Sequence, residues 1–246
     1  MDVHHHPHSE GKRLKHYLFE FFMLFLAVFC GFLAENIREH NIEKEKEKEF
    51  IGSLVSDLKD DTTIIASHIT NMEKSILLFD TLSQLLQSPD SAKKYGADIY
   101  YTSRMGIRQS PLANNSRTFD QLKNSGGFRL IRKQETCGRI MNYYSLFPEL
   151  RMMEEIFNTE NTAFKEVASH IMDHTIYQRQ VNPDGSLKRI PGDLALLTYN
   201  PSLLRQLGFY AVEMNGSRQG MTPLLKKMKQ VAGELLGYLK QEYHLK

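Results

Sequence analysis

The first long run of apolar residues has no polar side. It extends from Tyr17 to Ala34, reads YLFEFFMLFLAVFCGFLA, and carries Glu20 as its single charge. A helix rises about 1.5 Å per residue, so roughly 20 residues cross a hydrocarbon core about 30 Å thick. The run reaches that length when it is extended to Ile37, and Glu20 then lies near headgroup depth. We therefore predict a transmembrane helix over residues 17–37.

Two other interpretations fit a short apolar run. Uninterrupted apolar sequence between Phe21 and Ala34 covers only about fourteen residues, a length also found in signal peptides and in buried helices of soluble proteins. The residues after Gly31 contain no convincing A-x-A cleavage site, which argues against a signal peptide. A helix of a soluble protein usually keeps a polar face, and this segment has none. A membrane anchor is the favoured interpretation.

After the anchor the chain becomes charged without a helix breaker. The sequence ENIREHNIEKEKEKEF has no Pro or Gly before Gly52, so the helix is predicted to continue through a charged stalk, residues 38–50. An apolar stripe with alternating steps of three and four residues then begins, which is the spacing of a heptad seam. Such a seam packs on helices of its own chain or pairs between chains, and the long helical segments that follow favour the first. The stripe consists of Ile51, Val55, Leu58, Thr62, Ile65, Ile69, Met72, Ile76, Phe79, Ser83 and Leu86.

Turn formers divide the sequence after the stripe. The Ser-Pro-Asp sequence at residues 88–90 ends the long helix, and a shorter helix is predicted within residues 92–105. The sequence NNSRTFDQLKNSGGFRLI then predicts a Ser or Thr cap, a helical turn and a reversal at Gly126 and Gly127. A long helical pattern covers residues 133–180, and Pro148 is expected to kink it or divide it in two.

The last third of the chain predicts one loop and two more helices. Residues 181–193, VNPDGSLKRIPGD, concentrate turn formers and indicate a loop. Helices are predicted over 201–214 and 223–243, connected through the Gly-containing residues 215–220. No stretch shows sustained alternation with period two. The predicted fold class is all-α: one N-terminal transmembrane helix continues into a long helix, which packs with further long helices in an antiparallel bundle domain, residues 51–246.

Composition excludes several classes of protein. Hydrophobic residues make up 41% of the chain and charged residues 24%, so disordered, collagen-like and disulfide-dense chains are excluded. Thirty-one Lys and Arg balance 29 Asp and Glu, far from the basic excess that binding to phosphate backbones requires, so we expect no nucleic-acid partner. Cys30 and Cys137 are the two cysteines, and we expect no structural disulfide because a bridge would have to join the membrane segment to the bundle domain.

The residues before the anchor form a predicted flexible tail, 1–16, that is rich in His and basic residues. Three basic residues precede the anchor and only Arg38 follows it closely, so the positive-inside rule predicts a cytoplasmic N-terminus. The imidazoles could bind a divalent metal, but they lack fixed ligand spacing, and attraction to anionic lipid is the favoured role. This interfacial tail consists of His4, His5, His6, His8, Lys12, Arg13 and Lys15.

Candidate chemistry in the bundle domain is sparse. His170 and His174 would share a helix face as metal ligands, but a HExxH glutamate and a third ligand are missing, so a solvated or packed helix surface is favoured. Asp57, Asp60 and Asp61 are interpreted as simple surface charge. The chain contains no nucleophile elbow, P-loop, dinucleotide turn or kinase signature. We therefore predict no catalytic, cofactor-binding or metal-binding residues, and a protein that is not an enzyme.

The segment from Phe119 to Arg132, FDQLKNSGGFRLIR, is the most unusual in the domain. Arg129 and Arg132 could form a partner or ligand surface that recognises acidic groups. Alternatively, the segment is a tight connection whose apolar residues plug the bundle, and this structural interpretation is favoured. Small residues spaced four apart in the anchor would let membrane helices approach closely and self-associate, and their chance occurrence in a span of this length is an equally favoured alternative. These residues are Ala27, Cys30, Gly31 and Ala34.

Three sequence elements resemble an uncharacterised bacterial family of single-pass membrane proteins. They are the HHHPH element at residues 4–8, the Phe-rich span FEFFMLFLAVFCGFLAEN, and FDQLKNSGGFRLI at residues 119–131. The resemblance implies a bacterial inner-membrane protein with a single transmembrane helix. It implies no activity, cofactor or substrate.

We expect a binding function rather than a reaction. The leading hypothesis is a membrane-tethered helical scaffold or protein-binding module of the cell envelope, in contact with membrane lipid and with a protein partner or a second copy. The alternative is a sensor-like ligand-binding domain that relays through a membrane partner, because only about sixteen residues precede the anchor and they contain no output domain. An enzyme is the least favoured class.

Overall fold

A computed structural model describes residues 10–108 and 111–245, with side chains from Leu14 onward. The described chain is all-α, as predicted, and the isolated bridge between Val181 and Leu187 is its only β pairing. It divides into two compact units, residues 1–51 and 52–246. The helices are α1 Glu10–Leu85, α2 Pro89–Lys94, α3 Gly96–Gly106, α4 Arg117–Asn124, α5 Gln134–Tyr144, α6 Phe147–Ser169, α7 His174–Arg179 and α8 Pro201–Glu242, with a 3-10 turn at Gly127–Leu130.

Helix α1 is one uninterrupted helix of 76 residues. It passes through Gly52 without a break, as the absence of stronger helix breakers predicts. It begins at Glu10, earlier than expected, so the predicted flexible tail is helical over residues 10–16. The reason is local: Pro7 is the last proline before α1, and Lys, Arg and Leu, which favour helix, follow Glu10. Lys15 is exposed on this part of α1.

The predicted seam of α1 is correct in spacing and slightly wrong in direction. Eight of its eleven positions are buried, while Thr62, Ile76 and Ser83 are only half-buried. At every second step of the seam except Ile69, the residue just before the predicted position is buried more deeply. The buried face of α1 is therefore rotated by part of a turn and includes the polar Asp61 and Ser75. The seam packs within the chain, as favoured from the sequence. The most buried side chains of the observed face are Ile51, Leu54, Leu58, Asp61, Ile65, Met72, Phe79, Leu82 and Leu86.

The turn formers act at the predicted places. Ser88 caps α2 by accepting a hydrogen bond from the amide of Ser91 at 3.2 Å. Gly126 has a φ of +68° and reverses the chain after α4. Pro148 lies in the first turn of α6, where its missing N–H costs no helical hydrogen bond, so it separates α5 from α6 as expected.

The two predicted C-terminal helices are in fact one. Helix α8 runs from Pro201 to Glu242 and includes Pro223 in its interior, so the predicted connection at residues 215–220 is wrong. The glycines and the proline of this stretch favour a break in the helix, but packing stabilises the continuous helix more strongly. Helix α8 lies along α6 and buries Met214, Met221 and Leu225 on one face. A single proline removes only one helical hydrogen bond, a cost of about 3 kcal/mol that burial of several large side chains can offset.

The segment between α7 and α8 contains the predicted loop and is held against α3. The hydroxyl of Tyr100 on α3 donates to the carbonyl of Ala195 at 3.1 Å and accepts from the amide of Asp173 at 2.8 Å. Gly96 begins α3 directly beneath this segment, and a Cβ at Gly96 would lie 1.8 Å from the backbone oxygen of Leu194. Only glycine therefore allows this close approach.

Gly96→Ala is expected to lower the free energy of unfolding by about 2–3 kcal/mol, because the backbone of Leu194 has to move and α3 loses its packing. Gly233→Ala is the matched control. Gly233 is inside α8 with open space around it, so alanine there is expected to raise stability by about 0.5–1 kcal/mol. Denaturant unfolding of both variants measures the difference, and equal effects would contradict the close approach at Gly96.

Candidate functional site

The apolar part of α1 is exposed along its whole length. A window of 18 residues has a mean hydropathy of 2.2, and none of it is buried. Phe21, Phe25 and Phe29 stack along one side, with ring centroids 6.5 and 6.1 Å apart, and Phe32 is 75% exposed. In the described part of the chain α1 is the one helix long and apolar enough to cross a membrane. Apolar exposure on this scale marks a membrane or protein contact.

Two carboxylates of α1 lie inside the bundle domain rather than on its surface. Asp57 is 5% exposed and Asp61 1%, so their interpretation as surface charge is wrong; Asp60, between them, is exposed as expected. Asp61 accepts hydrogen bonds from the Tyr143 hydroxyl at 2.7 Å and from the Asn115 amide at 2.8 Å. The rotation of the α1 seam places these carboxylates inward.

Asp57 caps a helix that is distant in the sequence. One of its oxygens accepts from the amide of Thr118 in the first turn of α4 at 3.2 Å, and the other lies 3.8 Å from the guanidinium of Arg117. Ser116 occupies the expected cap position of α4, but its hydroxyl donates to Asp120 at 2.6 Å and caps no amide. The two α1 carboxylates thus attach the first turn of α4 and the preceding Asn115 to α1, which is a structural role.

The pH dependence of stability should reflect Asp61. Burial raises the pKa of Asp61 above its ordinary 3.8, and the hydrogen bonds from Asn115 and Tyr143 oppose the rise. The folded chain therefore binds this proton more tightly than the unfolded chain, so the contribution of Asp61 to stability falls as pH rises from 3.8 through the raised pKa. We expect the difference in unfolding free energy between the wild type and Asp61→Ala to shrink over that range. A difference that grows with pH would contradict this sign.

The segment 119–132 serves mainly as a connection. The ring of Phe119 stacks on Tyr144 with centroids 4.1 Å apart, Ile131 is buried, and Phe128 and Leu130 are half-buried. Arg129 and Arg132, the candidate partner or ligand surface, are exposed on either side of the buried Ile131. Neither lines the cavities described below.

The prediction that His170 and His174 share a helix face is wrong. His170 ends α6 and His174 begins α7, and the chain turns between them because Asp173 caps α7 through the amide of Thr175 at 2.8 Å. Among the described residues no group of three or more His, Cys, Asp or Glu could hold a metal ion. His4, His5, His6 and His8 lie outside the described residues, as do the side chains of Lys12 and Arg13.

The most unusual buried group is the guanidinium of Arg218 on α8. Arg218 is only 2% exposed. Its Cζ lies 3.6 Å from the ring centroid of Phe157, and one of its terminal nitrogens donates to the sulfur of Met72 at 3.4 Å. Its Nε is buried without a hydrogen-bond partner. Burial lowers the pKa of Arg218 to about 10, although the charges of Glu154 and Glu160 oppose the change.

Arg218 lies at a cavity of about 310 Å³ between α1, α3 and α8. Two other cations, Lys74 and Arg108, line the cavity with exposed side chains. His68 also lines it, and burial and the charge of Arg218 lower the pKa of this histidine. No acidic residue is among its described lining residues, which are His68, Asn71, Met72, Lys74, Ser75, Leu78, Met105, Arg108 and Arg218.

Arg108 also lines a second, more open cleft of about 550 Å³. Arg104 and Lys165 add two more cations there, while Glu154 supplies a carboxylate that accepts from the amide of Leu112 at 3.2 Å. Arg104 is held over the ring of Tyr177, 4.8 Å from its centroid. Positive side chains therefore line both cavities at Arg108, and no sequence pattern indicated any of them.

Comparison with protein-family models, with curated proteins and with solved structures gives no match for this chain. The resemblance to bacterial single-pass membrane proteins stays a prediction.

Proposed function

We propose that this chain is a single-pass protein of the bacterial inner membrane, whose helical domain binds a partner protein outside the cytoplasm. The observation that carries the proposal is the fully exposed, Phe-rich part of α1, which needs an apolar environment. The orientation is proposed from the three basic residues that precede the anchor, Lys12, Arg13 and Lys15. The proposal is one of binding, with no catalytic step.

Topology is tested with reporters fused after Lys246. A reporter active only outside the cytoplasm is expected to be active, and one active only in the cytoplasm is expected to be inactive. Both fusions must be present at similar levels in the membrane fraction and resist extraction with alkaline carbonate. The opposite pair of activities would overturn the orientation, and release by carbonate would overturn the anchor.

The partner is tested by purification of the intact chain from membranes in mild detergent. A stoichiometric membrane protein, or a second copy of the chain, is expected to copurify. Arg129→Ala with Arg132→Ala tests the exposed arginines as part of the contact, and Lys123→Ala on the exposed surface of α4 is the control. Recovery of the chain alone, at all detergent concentrations that keep it folded, would contradict a binding module.

A second candidate function is a sensor-like domain that binds a small ligand and relays through a membrane partner. The specific observation in its favour is the cavity at Arg218, because buried cations without bound carboxylates are typical of ligand sites. A small ligand that raises the unfolding temperature of the purified chain would support this candidate.

A further inference from the structure

We propose that the cavity at Arg218 binds the carboxylate of a small organic acid. This inference deepens the second candidate function and rests on it, but it does not depend on the membrane anchor. The juxtaposition that carries it is a buried guanidinium without an oxygen acceptor, on a residue that lines a cavity. The other charged side chains among the described lining residues, Lys74 and Arg108, are also cations.

The hydrogen bonding of Arg218 is incomplete in a way that favours an anion. A guanidinium has five N–H donors, and a buried charge is normally paired and hydrogen-bonded. Here one donor meets the sulfur of Met72, a weak acceptor, and the buried Nε meets no acceptor at all. The ring of Phe157 stabilises the cation from one face but accepts no conventional hydrogen bond. A carboxylate in the cavity would supply the missing oxygens in the fork geometry that arginine matches best.

The chain's own carboxylates leave this position open. Glu154 and Glu160 are the acids whose charges act on Arg218, yet neither lies within the 4.0 Å of an ion pair. Glu154 accepts from the amide of Leu112, and Glu160 accepts from the hydroxyl of Ser217 at 2.8 Å. Glu160 nevertheless has its second oxygen buried without a partner, which makes it an internal competitor for the guanidinium.

The walls of the cavity select an organic acid over an inorganic anion. Met72, Leu78 and Met105 give it an apolar side, while Asn71 and Lys74 provide polar groups. A cavity of about 310 Å³ is at the small end of ligand sites. An acid with a short apolar body would place its carboxylate at Arg218 and the body against the two methionines, whose flexible side chains adapt to the shape of a ligand.

The test uses the intact chain in micelles of an uncharged detergent, with hexanoate as the probe and hexanamide as its uncharged isostere. Isothermal titration calorimetry is expected to detect hexanoate and to show binding of hexanamide at least about ten-fold weaker, the factor for one lost charge-assisted hydrogen bond. Equal binding of the two probes would overturn the proposal. Inorganic phosphate that binds more tightly than hexanoate would also overturn it.

Arg218→Met removes the charge and keeps an apolar side chain of similar length. Hexanoate binding is expected to fall by about ten-fold or more, while Arg205→Met, at an exposed arginine of α8 outside the cavity, leaves it unchanged. Unchanged binding in Arg218→Met would overturn the proposal. If that variant does not fold, the double variant Lys74→Met with Arg108→Met replaces two exposed side chains that line the cavity. Hexanoate binding is expected to weaken several-fold in this double variant, and unchanged affinity would overturn the proposal.

Glu160→Gln separates the ligand from the internal competitor. Hexanoate binding is expected in the wild type and should tighten in Glu160→Gln. Binding that occurs only in Glu160→Gln would mean that Glu160 pairs with Arg218 in the native protein, and the proposal would fail.

The membrane anchor and the anion site can fail separately. A chain that binds hexanoate but is released by alkaline carbonate would contradict the anchor alone, and a carbonate-resistant chain without hexanoate binding would contradict the anion site alone.

Discussion

Phe25→Arg combined with Phe29→Arg is expected to move the chain out of the carbonate-resistant membrane fraction. Each arginine at the centre of a membrane helix costs roughly 2.5–3.5 kcal/mol in insertion, so the pair costs roughly 5–7 kcal/mol. The two rings stack on one side of α1, which places both arginines on the same face near the middle of the apolar segment. Fractionation of the variant, followed by quantification of soluble, aggregated and membrane-bound chain, measures the effect.

Leu77→Arg is the matched control, because Leu77 is a 66% exposed apolar residue of the same helix beyond the Phe-rich apolar segment. It should fractionate like the wild type. If the double variant stays in the membrane as the wild type does, the exposed phenylalanines do not contact lipid, and the apolar segment has to be explained as a contact with protein.

Asp61→Ala is expected to lower the free energy of unfolding by about 2–5 kcal/mol. The alanine leaves the buried hydroxyl of Tyr143 and the half-buried amide of Asn115 without their acceptor, and each unsatisfied group costs up to about 1–3 kcal/mol. Denaturant unfolding of the intact chain in detergent, monitored by far-UV circular dichroism, measures the loss.

Two further variants identify the source of that loss. Asp60→Ala changes an exposed carboxylate one residue away and should alter the unfolding free energy by less than about 0.5 kcal/mol. Tyr143→Phe with Asp61→Ala completes a double-mutant cycle, in which the two losses should not add, because both variants break the same 2.7 Å hydrogen bond. Strict additivity would mean that the hydrogen bond contributes little to stability.

The sequence predicted the fold well wherever helix periodicity and turn formers agree. Residues 88–90, Gly126 and Pro148 end or divide helices where expected, because their effect on the backbone is local. The rotation of the buried face of α1 could not be predicted in the same way. Leu54 and Val55 are both buried, and partners from other helices decide which neighbouring positions lie deepest. That rotation is why Asp61 is inside.

The charged groups of the candidate site were missed for a related reason. Arg218 lies in the sequence NGSRQG, whose glycines indicate a connection, and an arginine in a connection is expected to be solvated. Packing against α6 keeps α8 helical through this sequence and turns Arg218 towards Phe157. No spacing rule relates Arg218 to Lys74 or Arg108, since Arg218 lies on α8, Lys74 on α1 and Arg108 in the connection after α3.

The hydrogen bonds of Asp61 also set an order of events during synthesis. Tyr143 lies 82 residues after Asp61, and Asn115 lies 54 residues after it. At roughly 5–20 residues per second, a ribosome needs about 4–16 s to add the 82 residues. For that time Asp61 lacks the tyrosine that completes its environment, although the apolar segment of α1 has already been synthesised. The apolar segment is therefore complete well before the bundle domain is able to close around its buried carboxylate.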